Sequence, residues 1–278
     1  MIDTAVLHAC DTGAISPEIA LARLLLSGRA PDPAALARAA RPGPLQALAD
    51  LAERHRDRLG GLSGLAAQGF SPDGPDPVAG AAALFDRLST QAPEAAVAFY
   101  SFGDAHALAA ATAELVAVVR GWTPPAGRRV VDLGCGIGRV ALALADEAAD
   151  VLGVDVSAGM VAAARARAGA TRVRFEQGNG RDLAGLADGS ADLLIAVDVW
   201  PFLVTAGEAA VDRMVAEVAR VLAPGGDFLL FNYSYRGDPA RDVADVEALA
   251  AAHGFSVERA GETPFRIWDG VGFHLRRR

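Results

Sequence analysis

The stretch that decides the fold is Val130-Val131-Asp132-Leu133-Gly134-Cys135-Gly136-Ile137-Gly138-Arg139. It starts as an apolar strand containing an acidic residue, passes three glycines at alternate positions, and leads into apolar residues at helical spacing. Glycines let a chain turn sharply beside a ligand, and a following helix directs its free amide groups at that ligand. This order is typical of a nucleotide-like ligand at the carboxyl end of a sheet. The spacing G-x-G-x-G fits poorly to the dinucleotide fingerprint G-x-G-x-x-G, because Arg139 stands at its sixth position.

Short apolar strands alternate with helical patterns throughout the chain after residue 128. Such alternation predicts an α/β fold with a doubly wound, mostly parallel sheet and helices on both faces. The predicted strands are 129–133, 151–155, 172–176, 191–197 and 226–232, with helices at 138–148, 157–168 and 207–222 between them. A helix at 245–253 and two final strands at 255–258 and 272–276 complete the pattern.

The first 125 residues contain no convincing strand. Helices are predicted at 17–26 (with Ser16 as N-cap and Gly28 as C-cap), around Leu45 to Leu59, at 78–88 and at 105–120. The segment 60–80 is rich in Gly, Pro and Ser and predicts a linker. We therefore divide the chain into a helical N-terminal region, 1–94, and an α/β domain, 95–278. The helical region is interpreted as a lid, a dimerisation surface or a substrate-binding module.

Composition excludes several classes of function. The chain of 278 residues has a net charge of −8, which argues against a protein that coats nucleic acid. It has no lysine, which excludes a Schiff base and a Walker-type phosphate lysine, and its excess of Ala, Arg and Gly is typical of a GC-rich genome. The five histidines are scattered, so no metal site is predicted. Cys135 lies inside the glycine turn, and neither a membrane span nor a secretory signal is evident, so we expect a cytoplasmic protein.

Polar residues follow the later predicted strands. Asp155 closes the second strand 19 residues after Gly136, a spacing at which a carboxylate can accept both hydroxyls of a ribose. The alternative, that Asp155 caps the next helix, is weaker because Ser157 already supplies that cap. Residues 177–183 follow the third strand as a further wall of the same pocket. After the fourth strand, Asp198 either faces the pocket or caps the next segment.

These motifs resemble those of the class I S-adenosylmethionine-dependent methyltransferases over residues 95 to 278. The resemblance rests on four segments in order, namely the glycine turn 132–138, 153–160 (GVDVSAGM), 188–194 (DGSADLL) and 220–226 (RVLAPGG). It implies a seven-stranded Rossmann-like sheet with an antiparallel last strand and S-adenosylmethionine as the cofactor, with S-adenosylhomocysteine as the product.

The resemblance also implies roles for individual residues. Gly134 and Gly136 would lie along the methionine and ribose, Asp132 near the methionine amino group, Asp155 on the ribose hydroxyls and Met160 on the adenine face. Asn179 replaces an aspartate of many relatives, so Gly180, Arg181 and Asp182 stay open as alternatives for the adenine contact. The predicted cofactor contacts are Tyr100, Asp132, Gly134, Cys135, Gly136, Asp155, Val156, Met160, Asn179, Gly180, Arg181, Asp182 and Asp198.

The acceptor of the methyl group is less well indicated. Transfer from a sulfonium is an in-line displacement, and a hydroxyl or thiol acceptor needs a base for its proton. Asp198 and Tyr233 are the catalytic candidates, and Trp200, Tyr235 and Arg236 the substrate candidates, with Trp200 equally compatible with the core. We expect a small-molecule acceptor, no nucleic acid or membrane partner, and homodimerisation through the N-terminal helices. Two alternatives stay open: a non-methylating biosynthetic reaction, and a cofactor-sensing or inactive interaction protein.

Overall fold

The computed structural model describes residues 3–28, 30–67 and 76–278, which form two compact units. The first unit comprises Met1–Gly69, Ala92–Ala111 and Phe265–Asp269, and the second Phe70–Gln91, Thr112–Pro264 and Gly270–Arg278. This division differs from the predicted boundary after residue 94. The helix Pro77–Gln91 belongs to the unit that contains the sheet, whereas residues 92–111 belong to the unit of the N-terminal helices.

The second unit is built on one seven-stranded sheet. Its strands are β1 (Arg129–Leu133), β2 (Asp150–Asp155), β3 (Arg174–Gln177), β4 (Ala191–Val197), β5 (Leu222–Phe231), β6 (Phe255–Glu262) and β7 (Gly272–Arg277). The strand order is β3-β2-β1-β4-β5-β7-β6, and only the pairs that include β7 are antiparallel. All seven predicted strands are present, and the predicted doubly wound, mostly parallel fold is confirmed.

Thirteen α-helices lie in the described parts of the chain. Those before the sheet are α1 (Thr4–Asp11), α2 (Pro17–Leu26), α3 (Pro33–Ala39), α4 (Pro44–Arg54), α5 (Arg56–Ala67), α6 (Pro77–Gln91), α7 (Pro93–Val97) and α8 (Ala105–Trp122). Those within the sheet region are α9 (Arg139–Ala143), α10 (Ala158–Ala168), α11 (Trp200–Ala206), α12 (Glu208–Val221) and α13 (Pro239–Ala252). None of the described helices is both long enough and apolar enough to cross a membrane.

The helix after the glycine turn is shorter than the pattern 138–148 predicts. It ends at Ala143, and the amide of Leu144 is shared between the carbonyls of Val140 and Ala141. The chain must turn back here because Asp150 pairs with Arg129 at the start of β1. The apolar spacing therefore continues beyond Ala143, although the helical backbone conformation ends there.

The first unit confirms the N-terminal helices with two corrections. Ser16 caps α2 by accepting a hydrogen bond from the amide of Ile19 at 3.1 Å. The helix predicted across Leu45 to Leu59 is two helices that meet at His55, and residues 60–67 belong to α5 and not to a linker. The middle of the predicted linker, 68–75, lies outside the described residues.

Candidate cofactor and acceptor site

The carboxyl ends of β3, β2, β1, β4 and β5 lie side by side at one edge of the sheet, because these five strands are parallel. The polar residues predicted from the sequence follow these ends in the same spatial order. Asn179 lies beyond β3, Asp155 ends β2, the glycine turn follows β1, and Asp198 follows β4. An elongated ligand laid across this edge would meet them in turn.

The glycine turn adopts backbone conformations that disfavour other residues. Gly134, Gly136 and Gly138 have φ angles of +70°, +52° and +79°. The amide of Gly134 donates to the carbonyl of Val154 at 2.7 Å, which ties the turn to β2. A Cβ atom on Gly134 would lie 2.0 Å from Cγ2 of Val199, so the turn and the segment after β4 are in close contact.

Asp155 links the end of β2 to the glycine turn. Its Oδ2 accepts a hydrogen bond from the amide of Gly136 at 2.8 Å, and its Oδ1 accepts from the amide of Ser157 at 2.9 Å. The side chain of Ser157 caps α10 by accepting from the amide of Met160 at 3.0 Å, as predicted. Burial raises the pKa of Asp155, although these backbone hydrogen bonds act to lower it. The carboxylate is therefore held beside the turn, with the helix cap supplied by its neighbour.

Asp132 lies beneath the turn and is only 2% exposed. Its Oδ2 accepts a hydrogen bond from the amide of Ala141 at 3.1 Å, in the first turn of α9. Burial, and to a lesser extent the charge of Asp155, raises its pKa to about 7 despite that hydrogen bond and the charge of Arg139. A carboxyl group with this pKa can change its charge when a cation binds nearby.

The remaining predicted contacts near β2 are mostly apolar and buried. Met160 is fully buried in the first turn of α10. The sulfur of Cys135 lies 2.9 Å from where a Cβ atom on Gly153 would stand, and burial raises the pKa of its thiol. Cγ2 of Val156 lies 3.0 Å from where a Cβ atom on Gly180 would stand. Any polar contact from Cys135 to a ligand would therefore use its backbone.

The loop after β3 is folded around Asn179. Its side-chain oxygen accepts from the amides of Arg181 and Asp182 at 2.7 and 3.0 Å, and its Nδ2 donates to the carboxylate of Asp182 at 2.8 Å. Arg181 forms an ion pair with Asp76 at the start of α6. The amide of Gly178 donates to the carbonyl of Asp155 at 2.9 Å, which brings this loop to the end of β2. Which of its members contacts an adenine stays a prediction.

Helix α6 contacts the segments that follow β2 and β4, an arrangement that the sequence did not predict. The carboxylate of Asp86 accepts from the hydroxyl of Ser157 at 2.6 Å and from the amide of Gly159 at 2.9 Å. The ring of Phe85, the residue before Asp86, meets the ring of Phe202 edge to face with centroids 5.4 Å apart. No local motif marks Asp86, since an acid within a helical pattern is most often solvent-exposed.

The acceptor candidates after β4 and β5 have different environments. Asp198 pairs with Asn232, whose Nδ2 donates to Oδ1 of Asp198 at 2.6 Å. Tyr235 is 64% exposed, and its ring meets Phe202 edge to face at 6.3 Å. The guanidinium of Arg236 donates to Asp242 at 2.7 Å and pairs with Asp245, so its charge is already balanced within the unit.

Two aromatic candidates lie in the core. Trp200 is fully buried and its ring packs against Phe228 with centroids 5.2 Å apart, so the core interpretation, and not the substrate one, describes it. Its Nε1 has no hydrogen-bond partner among the described residues. Tyr233 is also buried, and burial raises its pKa to about 12. A phenol with that pKa is protonated at neutral pH, which disfavours Tyr233 as a base.

Tyr100 belongs to the first unit. It lies in a short 3-10 helix, Phe99–Ser101, and its ring stacks on Trp268 of the same unit at 6.2 Å with an interplanar angle of 20°. Its role as a cofactor contact stays a prediction.

A parallel sheet with a glycine turn after its first strand, and with a carboxylate at the end of the next strand, is the arrangement of Rossmann-like folds that bind a nucleotide-containing ligand. Residues 131–230 match the family model described as a methyltransferase domain. This matched region is a methyltransferase domain, and the strand order confirms the fold expected from the sequence.

The relatives of this chain include an RNA methyltransferase and an amino-acid methyltransferase. The chain is 37% identical over 150 residues to the ribosomal RNA large subunit methyltransferase G of Streptomyces coelicolor, a match covering 52% of this chain and 37% of that protein. It is 35% identical over 167 residues to the 4-amino-L-phenylalanine/4-methylamino-L-phenylalanine methyltransferase of Streptomyces pristinaespiralis, covering 52% and 54%. The chain thus spans about half or less of these relatives' lengths.

A solved structure supports the fold. The magnesium protoporphyrin IX methyltransferase of Synechocystis, solved with bound S-adenosylmethionine, superposes with a TM-score of 0.55 at 21% sequence identity. The superposition covers 74% of this chain and 99% of that one.

Proposed function

We propose that this chain transfers the methyl group of S-adenosylmethionine to a nucleophile on a small molecule. The observation that carries the proposal is the carboxylate of Asp155, which is 8% exposed and hydrogen-bonded to the amide of Gly136 in the glycine turn. A carboxylate has up to four lone-pair sites, so Asp155 can accept ribose hydroxyls in addition to its two backbone amides. Asp132 provides a second buried carboxyl group for the methionine ammonium.

The residues of the site have separate tasks in this proposal. Asp155 and the glycine turn hold the ribose and methionine, and the β3 loop flanks the adenine, with the buried Met160 packed behind it. The acceptor approaches from the β4 and β5 side, so that its nucleophile meets the methyl carbon in line with the departing sulfur. The protein contributes mainly alignment and exclusion of water, because the sulfonium is already activated.

Calorimetric titration with S-adenosylmethionine tests the proposal. We expect saturable binding by the intact chain and its loss in Asp155→Ala. Asp150→Ala is the matched control, since Asp150 opens the same strand and pairs only with exposed Arg174 at 2.6 Å among its described ion-pair partners. Absence of binding by the intact chain at millimolar ligand, or equal loss in the two variants, would contradict the proposal.

A small-molecule acceptor is favoured over a nucleic acid by the net charge of −8. We also propose that the N-terminal helices serve as a dimerisation surface, with a lid or a substrate-binding module as the alternatives. Product formation is measured as S-adenosylhomocysteine released when low-molecular-weight amines and alcohols are supplied, with ribosomal RNA as the comparison substrate.

A further inference from the structure

The residues that follow β4 and β5 form a hydrogen-bonded polar pair. Asp198 comes directly after β4 and Asn232 directly after β5, and the last residues of these strands, Val197 and Phe231, are register partners. The side-chain amide of Asn232 donates to Oδ1 of Asp198 at 2.6 Å. Asp198 is a candidate base from its place after β4, and its hydrogen bond with Asn232 is visible only in the structure.

The backbone of this pair is held in an unfavourable conformation. Asp198 and Asn232 have φ angles of +58° and +68°, and Phe102 is the only other described non-glycine residue with a positive φ. The amide of Asp198 donates to the carbonyl of Phe231 at 2.9 Å, and the amide of Asn232 donates to the carbonyl of Val271 at 2.7 Å. Left-handed residues that are fixed by their surroundings concentrate at functional sites.

The pair also lies on the correct side of the glycine turn for an acceptor. Strand β1 lies between β2 and β4, so Asp155 and Asp198 flank the turn from opposite sides. The residue after Asp198, Val199, contacts Gly134 directly. If the ribose is held at Asp155, a methionine chain crossing the turn brings its sulfonium towards β4 and β5.

We propose that Asp198 and Asn232 form the acceptor site, and that this site takes a neutral amine or hydroxyl and rejects a carboxylate; the inference rests on the methyl-transfer function proposed above. Asp198 is the catalytic base. Asn232 is a positioning residue, whose N–H donates to the carboxylate and orients it. An ionised carboxylate only accepts hydrogen bonds and repels a second anion, so the favoured acceptor group is one that donates an O–H or N–H.

The reaction balances with the groups present. The acceptor's lone pair forms a bond to the methyl carbon, the carbon–sulfur bond breaks, and its electron pair stays on sulfur as a neutral thioether. The proton of the acceptor's O–H or N–H passes to the carboxylate of Asp198, which becomes a neutral acid. The positive charge of the sulfonium and the negative charge of Asp198 are both lost, so no net charge is left in the site.

The chain offers an unusually clean probe, because Asn179 and Asn232 are its only two asparagines. Labelling asparagine alone with ¹⁵N gives two side-chain NH₂ groups in the spectrum. Asn232 reports on Asp198, and Asn179, whose Nδ2 donates to Asp182, serves as the internal reference. Phenol, aniline and benzoate, which differ only in the group attached to the ring, are titrated into the protein saturated with S-adenosylhomocysteine.

Phenol and aniline should shift the Asn232 signal and leave the Asn179 signal in place, whereas benzoate at equal concentration should shift neither. In Asp198→Asn the phenol affinity should fall by roughly tenfold or more, because a hydrogen bond to a charged group is lost. Ser234→Ala, in the same loop but bonded to Asp242, should keep the wild-type response. A benzoate response equal to that of phenol, or no response of Asn232 to any probe, overturns the proposal.

The positioning role is tested with Asn232→Gly, which keeps the left-handed backbone and removes the amide. For an acceptor that the wild type methylates, kcat should fall in Asn232→Gly while the KM for S-adenosylmethionine stays unchanged, and both should stay unchanged in Ser234→Ala. An unchanged kcat in Asn232→Gly overturns the positioning role. Calorimetry with S-adenosylhomocysteine on the same samples separates the two proposals, since failure to bind it contradicts the methyl-transfer function itself.

Discussion

The carboxylate of Asp155 and the amide of Gly136 are joined by a hydrogen bond of 2.8 Å that connects the end of β2 to the glycine turn after β1. The two residues are 19 positions apart in the chain, and they meet because β1 and β2 pair in parallel register. This contact holds the carboxylate of Asp155 beside the glycine turn.

Asp132 should make both stability and cofactor affinity depend on pH. Its pKa is raised to about 7, so the folded state holds the proton more tightly than the unfolded state does. That contribution to stability is complete below the ordinary pKa of an aspartate, near 4, and is lost as the pH rises to about 7, by about 1.4 kcal/mol per pH unit.

Asp132→Asn removes this titration. We expect the free energy of unfolding of the variant, measured with urea, to exceed that of the wild type increasingly between pH 4 and pH 7. Its affinity for S-adenosylmethionine should be lower and nearly independent of pH, whereas that of the wild type rises towards pH 8. A constant stability difference across this range would contradict the raised pKa.

Gly134 should tolerate a methyl group worse than another glycine with the same backbone angle. Gly134→Ala combines left-handed strain of roughly 1 kcal/mol with a clash against Val199 that adds about 1–3 kcal/mol. Gly127→Ala is the control, since Gly127 has a φ of +71° and nothing within 4 Å of a Cβ atom. Adding Val199→Ala should recover the steric part alone, and equal losses in the two single variants would contradict the close contact.

Asp227 should be the most important buried charge for stability. Burial by itself raises its pKa, but hydrogen bonds from His274, Arg276, Thr123 and Arg128 outweigh this and leave the pKa well below its ordinary value. The contribution of Asp227 is therefore present above the ordinary pKa and is lost as the pH falls below it.

Asp227→Asn should lower the free energy of unfolding by about 3–5 kcal/mol at neutral pH, because it leaves buried donors without their charged partner. Asp150→Asn, which breaks the exposed pair with Arg174, should cost less than about 1 kcal/mol. Chemical denaturation measures both, and similar small losses would show that the buried network is not stabilising.

Arg236 tests whether the acceptor carries an anion in addition to its nucleophile. If the guanidinium can leave Asp242 to bind such an anion, 4-hydroxybenzoate should bind more tightly than phenol in the wild type and no more tightly in Arg236→Ala. Arg259→Ala is the control, since Arg259 also lies 5.4 Å from an aromatic centroid, that of Trp122, and pairs with Glu262. In all three proteins the affinity for S-adenosylmethionine should be unchanged, and equal loss of cofactor and probe binding in Arg236→Ala would contradict the assignment.

The order of strands and helices in the sheet region, the glycine turn and the cap at Ser157 could all be predicted from the sequence. These features depend on periodicity, on glycine at positive φ and on short-range hydrogen bonds, all of which are properties of neighbouring residues. The predicted strand 191–197 coincides with β4 at both ends.

Which side chains face the site depends on tertiary packing and could not be predicted from the sequence. Trp200 and Tyr233 follow strands that end at the site, yet both pack into the core, because a strand exit can turn its side chain to either face. Helix α6 is held at the start of α10 by the hydrogen bond between Asp86 and Ser157, two residues about 70 positions apart in the chain. The Asp198–Asn232 pair joins two strands separated by α11 and α12, and no local pattern specifies a contact that forms only when β4 and β5 lie side by side.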